Sequence, residues 1–520
     1  MMDATTIPAN TVSFRDYLFK DKRNRTILIL AAVAMVIQWA VFKWFYPFAS
    51  YIHGDSFAYI KAASTNADIS THMIGYARFL RLFSVFSKSD TVLVTFQYLL
   101  AQTTGLSLLF TLFYFHNIHK TTRIFLLAFI IINPLFLYLG NLVSSDCLFM
   151  SLSLIWITLL LWLMHRPSNK IINWHTVILS IAFTVRYNAL VYPAIGALAF
   201  WLSSLPLKKK LIGILSPFVL CGLFVVFTGN QYKKHTGIWQ YAPFGGWQMA
   251  NNAMYTYRYV ENADRKPVPE KFSALDKMIT TYYDTTRNLY RFPLEGLKAS
   301  TYYMWTHSMP LYQYRDMIYA KDSSIGEFKK WALIAPFFKE YGLYIISKYP
   351  EQYIEHFIWP NTKKYFAPPL EFLEFYNGKK DSVNILAKNW FQYNSSKISS
   401  RLKDTKAYPL EIYPILTGIM NVFLVCCLIC FLLLRKFSKK SPLSRSMIPV
   451  VAVYVLNAVF MILSTASAIR IQAFPILLET IFALVLFDWM CKLAVNERAV
   501  KPVYPEKEAT QAMAATNLTA

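Results

Sequence analysis

The stretch RNRTILILAAVAMVIQWAVFKWFY, residues 23–46, decides the fold of this chain. Its apolar part, residues 27–46, has the length of about 20 residues that an α-helix needs to cross the hydrocarbon core of a bilayer. Basic residues precede it, as is typical of the cytoplasmic flank of a span. The stretch therefore predicts a first transmembrane helix that leaves the cytoplasm. It is too long for the core of a cleavable signal peptide, so we interpret it as an anchor.

The composition of the whole chain fits a membrane protein better than a set of soluble domains. Of the 520 residues, 55% are hydrophobic and only 16% are charged, against a usual charged fraction of about 25%. The net charge of +24 does not indicate a nucleic-acid partner, because Lys and Arg gather in short segments between apolar runs, as they do in cytoplasmic loops. The sequence predicts an all-α polytopic membrane protein.

Ten apolar runs are predicted as spans: 27–46, 91–115, 124–140, 147–164, 171–185, 189–205, 211–228, 411–434, 447–463 and 470–490. Asn133-Pro134 should kink the third of them. This order places both termini in the cytoplasm, and every turn that it places there carries at least two basic residues. The topology is therefore supported by charge as well as by hydropathy.

The spans divide the chain into predicted regions: a basic cytoplasmic N-terminus (1–26), an N-terminal membrane module (27–228) with its first outer loop at 47–90, a large extracytoplasmic segment that is mainly helical (229–410), C-terminal membrane helices (411–492), and a polar cytoplasmic tail expected to be disordered (493–520). In the first outer loop, residues 55–64 have helical spacing, with Asp55 or Ser56 as the expected cap. Residues 75–83 look like a second, amphipathic helix that lies in the membrane interface.

The predicted topology places four charged residues at the same outer level. Asp55 follows the first span, Asp146 opens the fourth, Arg186 closes the fifth and Arg470 opens the tenth. Each one also has a structural interpretation: the acids can cap helices, and the arginines can reach to lipid headgroups. Together they indicate chemistry, because arginine binds phosphate oxygens in a bidentate manner and a carboxylate can take the proton of an acceptor hydroxyl group.

A metal site is a weaker hypothesis. His53 and Asp55 are the candidate ligands for a divalent cation, but an octahedral site needs more oxygen ligands than this segment offers. A divalent cation therefore stays an alternative, and no other cofactor is expected. The remaining histidines, such as His72 and His307, are interpreted as structural or surface residues. Four outer tryptophans are candidates for stacking on sugar rings or for the interfacial aromatic belt: Trp239, Trp247, Trp305 and Trp359.

At this point the sequence resembles the GT-C membrane glycosyltransferases, and within them the protein O-mannosyltransferase and aminoarabinose-transferase group. The resemblance lies in four places, which cover the first 200 residues or so and a C-terminal stretch: His53-Gly-Asp-Ser56, Asn133-Pro134 with Ser144-Ser-Asp146, Val185-Arg-Tyr-Asn-Ala-Leu190, and Arg470 with Phe474-Pro475. Two features depart from the family pattern. The first-loop acid is single, with Ser56 where some members have a second acid, and residues 229–410 match no family domain.

The resemblance implies transfer of a sugar from a polyprenyl-phosphate donor to a glycan, lipid or protein acceptor, with inversion at the sugar carbon. Asp55 would be the base, Asp146 a supporting acid, and Arg186 and Arg470 the ligands of the donor phosphate. The reaction would take place on the outer face of a bacterial cytoplasmic membrane. The alternatives are a polysaccharide polymerase or ligase and a transporter of lipid-linked glycans, although a transporter should carry charges near the bilayer midplane.

Overall fold

The computed structural model describes residues 12–322, 324–435 and 441–499. This part of the chain is helical, and its only β-structure consists of isolated bridges. The helices up to the large segment are α1 (Phe14–Phe19), α2 (Lys22–Phe45), α3 (Asp55–Ser64), α4 (Gly75–Phe83), α5 (Asp90–Phe115), α6 (Lys120–Ile131), α7 (Pro134–Gly140), α8 (Ser145–His165), α9 (Asn169–Val185), α10 (Tyr192–Leu202) and α11 (Leu207–Thr236).

The remaining helices are α12 (Pro243–Tyr257), α13 (Glu270–Thr285), α14 (Tyr302–Trp305), α15 (Pro310–Ile318), α16 (Glu327–Lys348), α17 (Pro350–Tyr353), α18 (Trp359–Phe366), α19 (Ile385–Phe391), α20 (Tyr413–Arg435), α21 (Pro442–Ser464) and α22 (Ile469–Ala499). Residues 493–499, which the sequence assigns to a disordered tail, are the end of α22. The rest of that predicted tail, 500–520, lies outside the described residues, as does 1–11 of the N-terminal region.

Eight helices of the described part are long and apolar enough to cross a membrane: Lys22–Phe45, Asp90–Phe115, Lys120–Gly140, Ser145–His165, Leu207–Thr236, Tyr408–Leu434, Pro442–Ser464 and Ile469–Val495. They confirm a polytopic helical membrane protein. The two predicted spans beside Arg186 are also helical, but α9 has 17 residues and α10 has 11. At 1.5 Å per residue they are about 26 and 17 Å long, less than the hydrocarbon thickness of about 30 Å. The count of ten spans stays a prediction.

The first predicted outer loop contains α3 and α4 at the expected positions. The residue that caps α3 is Gly54, at φ +100°, and no side chain caps the helix. The prediction that Asp55 or Ser56 caps it is therefore wrong. Ser56 Oγ accepts a hydrogen bond from the N–H of Ile52 at 2.8 Å and donates one to the carbonyl of Val143 at 2.6 Å. The carboxylate of Asp55 is thus free to contact other groups.

The third predicted span is broken at Asn133-Pro134, as expected. Asn133 is the N-cap of α7, and its Oδ1 accepts from the N–H of Leu135 at 2.9 Å. Pro134 suits the first helical position because its missing N–H would have no intrahelical partner there. The hydroxyl of Tyr413 donates to the same Asn133 oxygen, so the break also joins α7 to the start of α20.

The large segment 229–410 begins inside a helix. α11 continues past residue 228 and ends at Thr236. The next residue, Gly237, has a φ of +84°, the left-handed backbone conformation that commonly terminates a helix. Beyond it, α12 packs closely on α16. A Cβ atom on Gly246 would lie 2.0 Å from the carbonyl oxygen of Ala335, and one on Gly342 would lie 2.5 Å from the backbone of Met249. Glycine is therefore required at both positions for the two helices to meet.

The same segment contributes to two hydrophobic cores. Its first part forms a core of its own around Trp247, Phe338 and Tyr341. Its last part, from Leu373 to Leu410, joins the core of the membrane helices. Burial of this last part against the membrane helices also holds the loop directly before Leu373 in place. That loop lines the cavity described below.

Two groups of helix ends meet at opposite ends of the bundle. The start of α3, the starts of α8 and α22 and the end of α9 meet at one end through their charged side chains. At the other end, His116 and His165 both contact Ser446 Oγ at 2.8 Å, and the N–H of His119 donates to Asp488 at 3.0 Å. The basic turns lie at this second end.

The predicted sidedness has a direct test. Ser273 in α13 and Ser204 between α10 and α11 are both exposed. The predicted topology places Ser273 outside and Ser204 at the cytoplasmic end of the sixth span. In a variant without the six native cysteines, we expect Ser273→Cys to react with an impermeant thiol reagent in cells whose outer membrane alone is permeabilised. Ser204→Cys should react only after the cells are lysed. Labelling in the reverse order would place Asp55 on the cytoplasmic side.

Candidate active site

The structure brings together the four charged residues that the sequence singles out. Asp55 lies in the first turn of α3, Asp146 in the first turn of α8, Arg186 directly after α9 and Arg470 in the first turn of α22. The guanidinium of Arg470 donates through Nη1 to Asp55 Oδ2 at 3.0 Å and to Asp146 Oδ2 at 3.2 Å. Residues separated by as many as 415 positions in the chain are therefore in direct contact.

Asp146 is the buried centre of this cluster. Its carboxylate has no exposed surface. Oδ1 accepts a hydrogen bond from Arg186 Nη1, and Oδ2 accepts one from Arg470 Nη1. The N-cap of α8 is Ser144, not Asp146, and the hydroxyl of Ser144 also donates to Asp146. Asp146 thus does not cap the helix. It joins the two arginines and fixes their positions.

The guanidinium group of Arg186 is held by neighbouring side chains of the protein. Only 15% of its side chain is exposed, and its Nη1 also contacts Ser145 Oγ at 3.3 Å. The guanidinium lies 6.0 Å from the centre of the Phe149 ring. The alternative that Arg186 only reaches to headgroups does not fit these contacts.

Each oxygen of Asp55 faces a basic side chain. Oδ2 pairs with Arg470, and Oδ1 lies 3.6 Å from His72 Nε2. Burial by itself would raise the pKa of the Asp55 carboxyl, but Arg470, His72 and Arg186 outweigh burial and hold the pKa below its usual range. Asp55 is therefore ionised at neutral pH and available to accept a proton.

His72 is a site residue that the sequence reasoning missed, because it was interpreted as structural. It lies between α3 and α4, and its ring contacts those of Tyr59 and Trp305 at centroid distances of 5.3 and 5.9 Å. Burial lowers the pKa of His72, with the neighbouring Asp55 carboxylate opposing burial. Its place in the same outer loop as Asp55 was the one signal that could have identified it.

The cluster forms part of the wall of a cavity of about 820 Å³. Small-molecule sites usually have volumes of about 300–1,000 Å³, so the cavity can hold a sugar phosphate. Asp55, Arg186 and Arg470 line it together with aromatic rings, among them Trp305 and Phe244. Of the four candidate tryptophans, Trp305 alone is among the lining residues. Trp247 is fully buried, whereas Trp239 and Trp359 are exposed.

A loop that the sequence did not single out closes another part of the wall. Glu371 and Phe372 lie between α18 and α19 and line the cavity. Phe372 has a φ of +67°, which is a strained conformation for a bulky residue. Its ring lies 5.2 Å from the guanidinium of Arg470, and the N–H of Ile469 donates to the carbonyl of Pro369 at 2.9 Å. The loop is therefore held against the start of α22.

The proposed pair of metal ligands does not fit a divalent cation. His53 Nδ1 lies 3.1 Å from the ammonium group of Lys380, which would repel a metal ion, and both oxygens of Asp55 face Arg470 and His72. No group of three or more His, Cys, Asp or Glu residues in 12–322, 324–435 and 441–499 has the arrangement of a metal site. The hypothesis of a cation held by His53 and Asp55 has no support in this geometry.

The arrangement offers an ionised carboxylate and two guanidinium groups at the edge of one cavity. This combination can bind an anion and remove a proton from a neighbouring hydroxyl group. Comparison of the chain with protein-family models, with curated proteins and with solved structures gave no match. We therefore infer function from the chemistry of this cavity.

Proposed function

We propose that the protein is a membrane glycosyltransferase that moves a sugar from a polyprenyl-phosphate donor to an acceptor on the outer face of the cytoplasmic membrane. The observation that carries this proposal is the contact of Asp55 with Arg470 at 3.0 Å on the wall of an 820 Å³ cavity. A candidate base and a candidate phosphate ligand are thereby adjacent at the end of a transmembrane bundle. A lipid-linked substrate can reach such a position from the bilayer.

The arginines support binding of a donor phosphate. Arg470 Nε is buried and has no hydrogen-bond partner among the described residues. An unsatisfied buried N–H costs about 1–3 kcal/mol, and a phosphate oxygen would satisfy it. Asp146 holds both guanidinium groups from behind, so they need not be reordered when the phosphate arrives. Their pre-organisation should favour binding of a planar or tetrahedral anion.

Asp55 supports the other half of the reaction. The acceptor hydroxyl group gives its proton to the Asp55 carboxylate while its oxygen forms a bond to the anomeric carbon of the donor sugar. The bond from that carbon to the phosphate oxygen breaks, and its electron pair stays with the phosphate. Attack opposite the leaving phosphate inverts the configuration at the sugar carbon.

The deletion of the gene tests this proposal. We expect the mutant cells to accumulate a polyprenyl-phosphate sugar and to contain a glycan, lipid or protein that lacks one sugar. Mass spectrometry of the lipid and glycan fractions measures both, and the wild-type gene on a plasmid should restore them. An accumulated lipid-linked oligosaccharide with a missing polymer would favour the polymerase or ligase alternative. Unchanged lipid and glycan profiles would contradict the proposal.

A further inference from the structure

The two carboxyl groups that line the cavity lie in opposite environments. Arg470, His72 and Arg186 outweigh burial at Asp55 and lower the pKa of its carboxyl group. Burial raises the pKa of the Glu371 carboxyl group above its usual range, with Arg470 and Lys364 opposing burial. When the environments of two carboxyl groups in one site shift their pKa values in opposite directions, one group is suited to act as a base and the other as an acid.

The contacts of Glu371 agree with an acid that has no structural task. Glu371 lines the cavity and is half-buried, and the structure shows no hydrogen bond or ion pair to its carboxyl group within the described part of the chain. The charged and titratable groups around it come from several elements. They are Arg470 on α22, Lys364 on α18, Glu374 on its own loop and Asp55 on α3, with Arg186, His53, His72 and His307 elsewhere on the cavity wall.

The position of Glu371 relative to Arg470 is fixed by the backbone. The strained Phe372 follows it directly and places its ring against the guanidinium of Arg470. The bond from the N–H of Ile469 to the carbonyl of Pro369 fastens the same loop to α22. Strain of this kind persists only where the surrounding structure holds it, and it is concentrated at functional sites. Glu371 is thereby held near the arginine that is proposed to bind the donor phosphate.

We propose that Glu371 is the proton donor to the leaving phosphate. This inference rests on the proposed transferase function and adds a second acid to it. As the bond between the anomeric carbon and the phosphate oxygen breaks, the carboxyl group of Glu371 gives its proton to the phosphate, and Asp55 receives the proton of the acceptor. The cycle closes when a proton passes from Asp55 to Glu371, which is favourable because Glu371 holds a proton more tightly.

The Glu371→Gln variant tests the role, with Glu374→Gln as the matched control. Glu374 is an exposed acid on the same loop and does not line the cavity. The assay measures release of farnesyl phosphate from farnesyl-phosphate hexoses and pentoses, with water taking the place of the acceptor hydroxyl group, by the purified full-length protein in lipid nanodiscs. For Glu371→Gln we expect turnover to fall about 10²-fold, at the lower end of general acid–base catalysis. We expect Glu374→Gln to behave like the wild type.

The pH dependence separates proton donation from a structural role. Because a general acid must be protonated, wild-type turnover should fall as the pH rises through the pKa of Glu371, and Glu371→Gln should lose this alkaline decline. Binding of farnesyl phosphate gives a readout without turnover. At alkaline pH the variant lacks the repulsion between the Glu371 carboxylate and the phosphate, so it should bind the probe roughly fivefold or more tightly than the wild type.

Two outcomes would contradict the role of Glu371, and a third would contradict the transferase function. An unchanged turnover and pH profile in Glu371→Gln would overturn the role of Glu371 while leaving the transferase proposal intact. Slower turnover together with weaker farnesyl-phosphate binding would show that Glu371 only shapes the cavity, which also overturns it. A wild-type protein that neither binds farnesyl phosphate nor releases it from any of these donors would count against the transferase function itself.

Discussion

Replacement of Asp55 by Asn should reduce turnover by about 10²–10⁴-fold, the contribution that a general base usually makes. Asn has nearly the same shape and can still accept a hydrogen bond from Arg470, but it cannot take the proton of the acceptor. The helix should survive, because Gly54 and not Asp55 caps α3. The variant loses a favourable charge in the first helical turn, worth about 0.3–1 kcal/mol, and its ion pair with Arg470 becomes a hydrogen bond to a neutral acceptor.

The measurement is sugar transfer by the purified variant, recorded beside its melting temperature. Asp68→Asn is the matched control, because Asp68 lies in the same predicted outer loop and pairs with Arg78 at the surface. Surface pairs contribute about 0–1 kcal/mol, so this control should keep both its turnover and its stability. A folded Asp55→Asn protein with near-normal turnover would show that Asp55 is not the base.

Replacement of Asp146 by Ala should destabilise the protein by about 3–5 kcal/mol, as expected when one partner of a buried ion pair is removed. The Asp146 carboxylate has no exposed surface and accepts from both Arg186 and Arg470. Without it, two buried guanidinium groups share the single charge of Asp55. The sequence suggested Asp146 as a supporting acid. The structure gives it the more central position.

Thermal unfolding in lipid nanodiscs measures this effect. Asp16→Ala is a suitable control, because Asp16 pairs with Lys20 at the surface and its loss should change the melting temperature little. Asp146→Asn should fall between the two, since its single amide oxygen can still accept from one arginine, whereas the charge and the second acceptor oxygen are lost. If Asp146→Ala melts at the wild-type temperature, the buried pair does not stabilise the bundle and its part in positioning the arginines is doubtful.

The sequence by itself determined the membrane class, the helices of the first outer loop and the break at Asn133-Pro134. These features depend on local properties: the length of an apolar run, the spacing of apolar residues and the missing N–H of proline. It also predicted that Asp55, Asp146, Arg186 and Arg470 lie at one level. Successive membrane helices cross the bilayer in opposite directions, so the order of the spans fixes the end of the bundle at which each residue lies, whichever helices are its neighbours.

Only the tertiary structure decided which of these residues touch, and which others join them. Arg470 Nη1 bridges two acids that lie 415 and 324 positions away in the chain, a contact that depends on how α3, α8 and α22 pack. His72 and Glu371 entered the site because the loops that carry them are held by distant contacts, such as that of Pro369 with Ile469. Hydropathy and helix ends depend on residues that are close together in the sequence, whereas the path of a loop over a cavity depends on the packing of the whole fold.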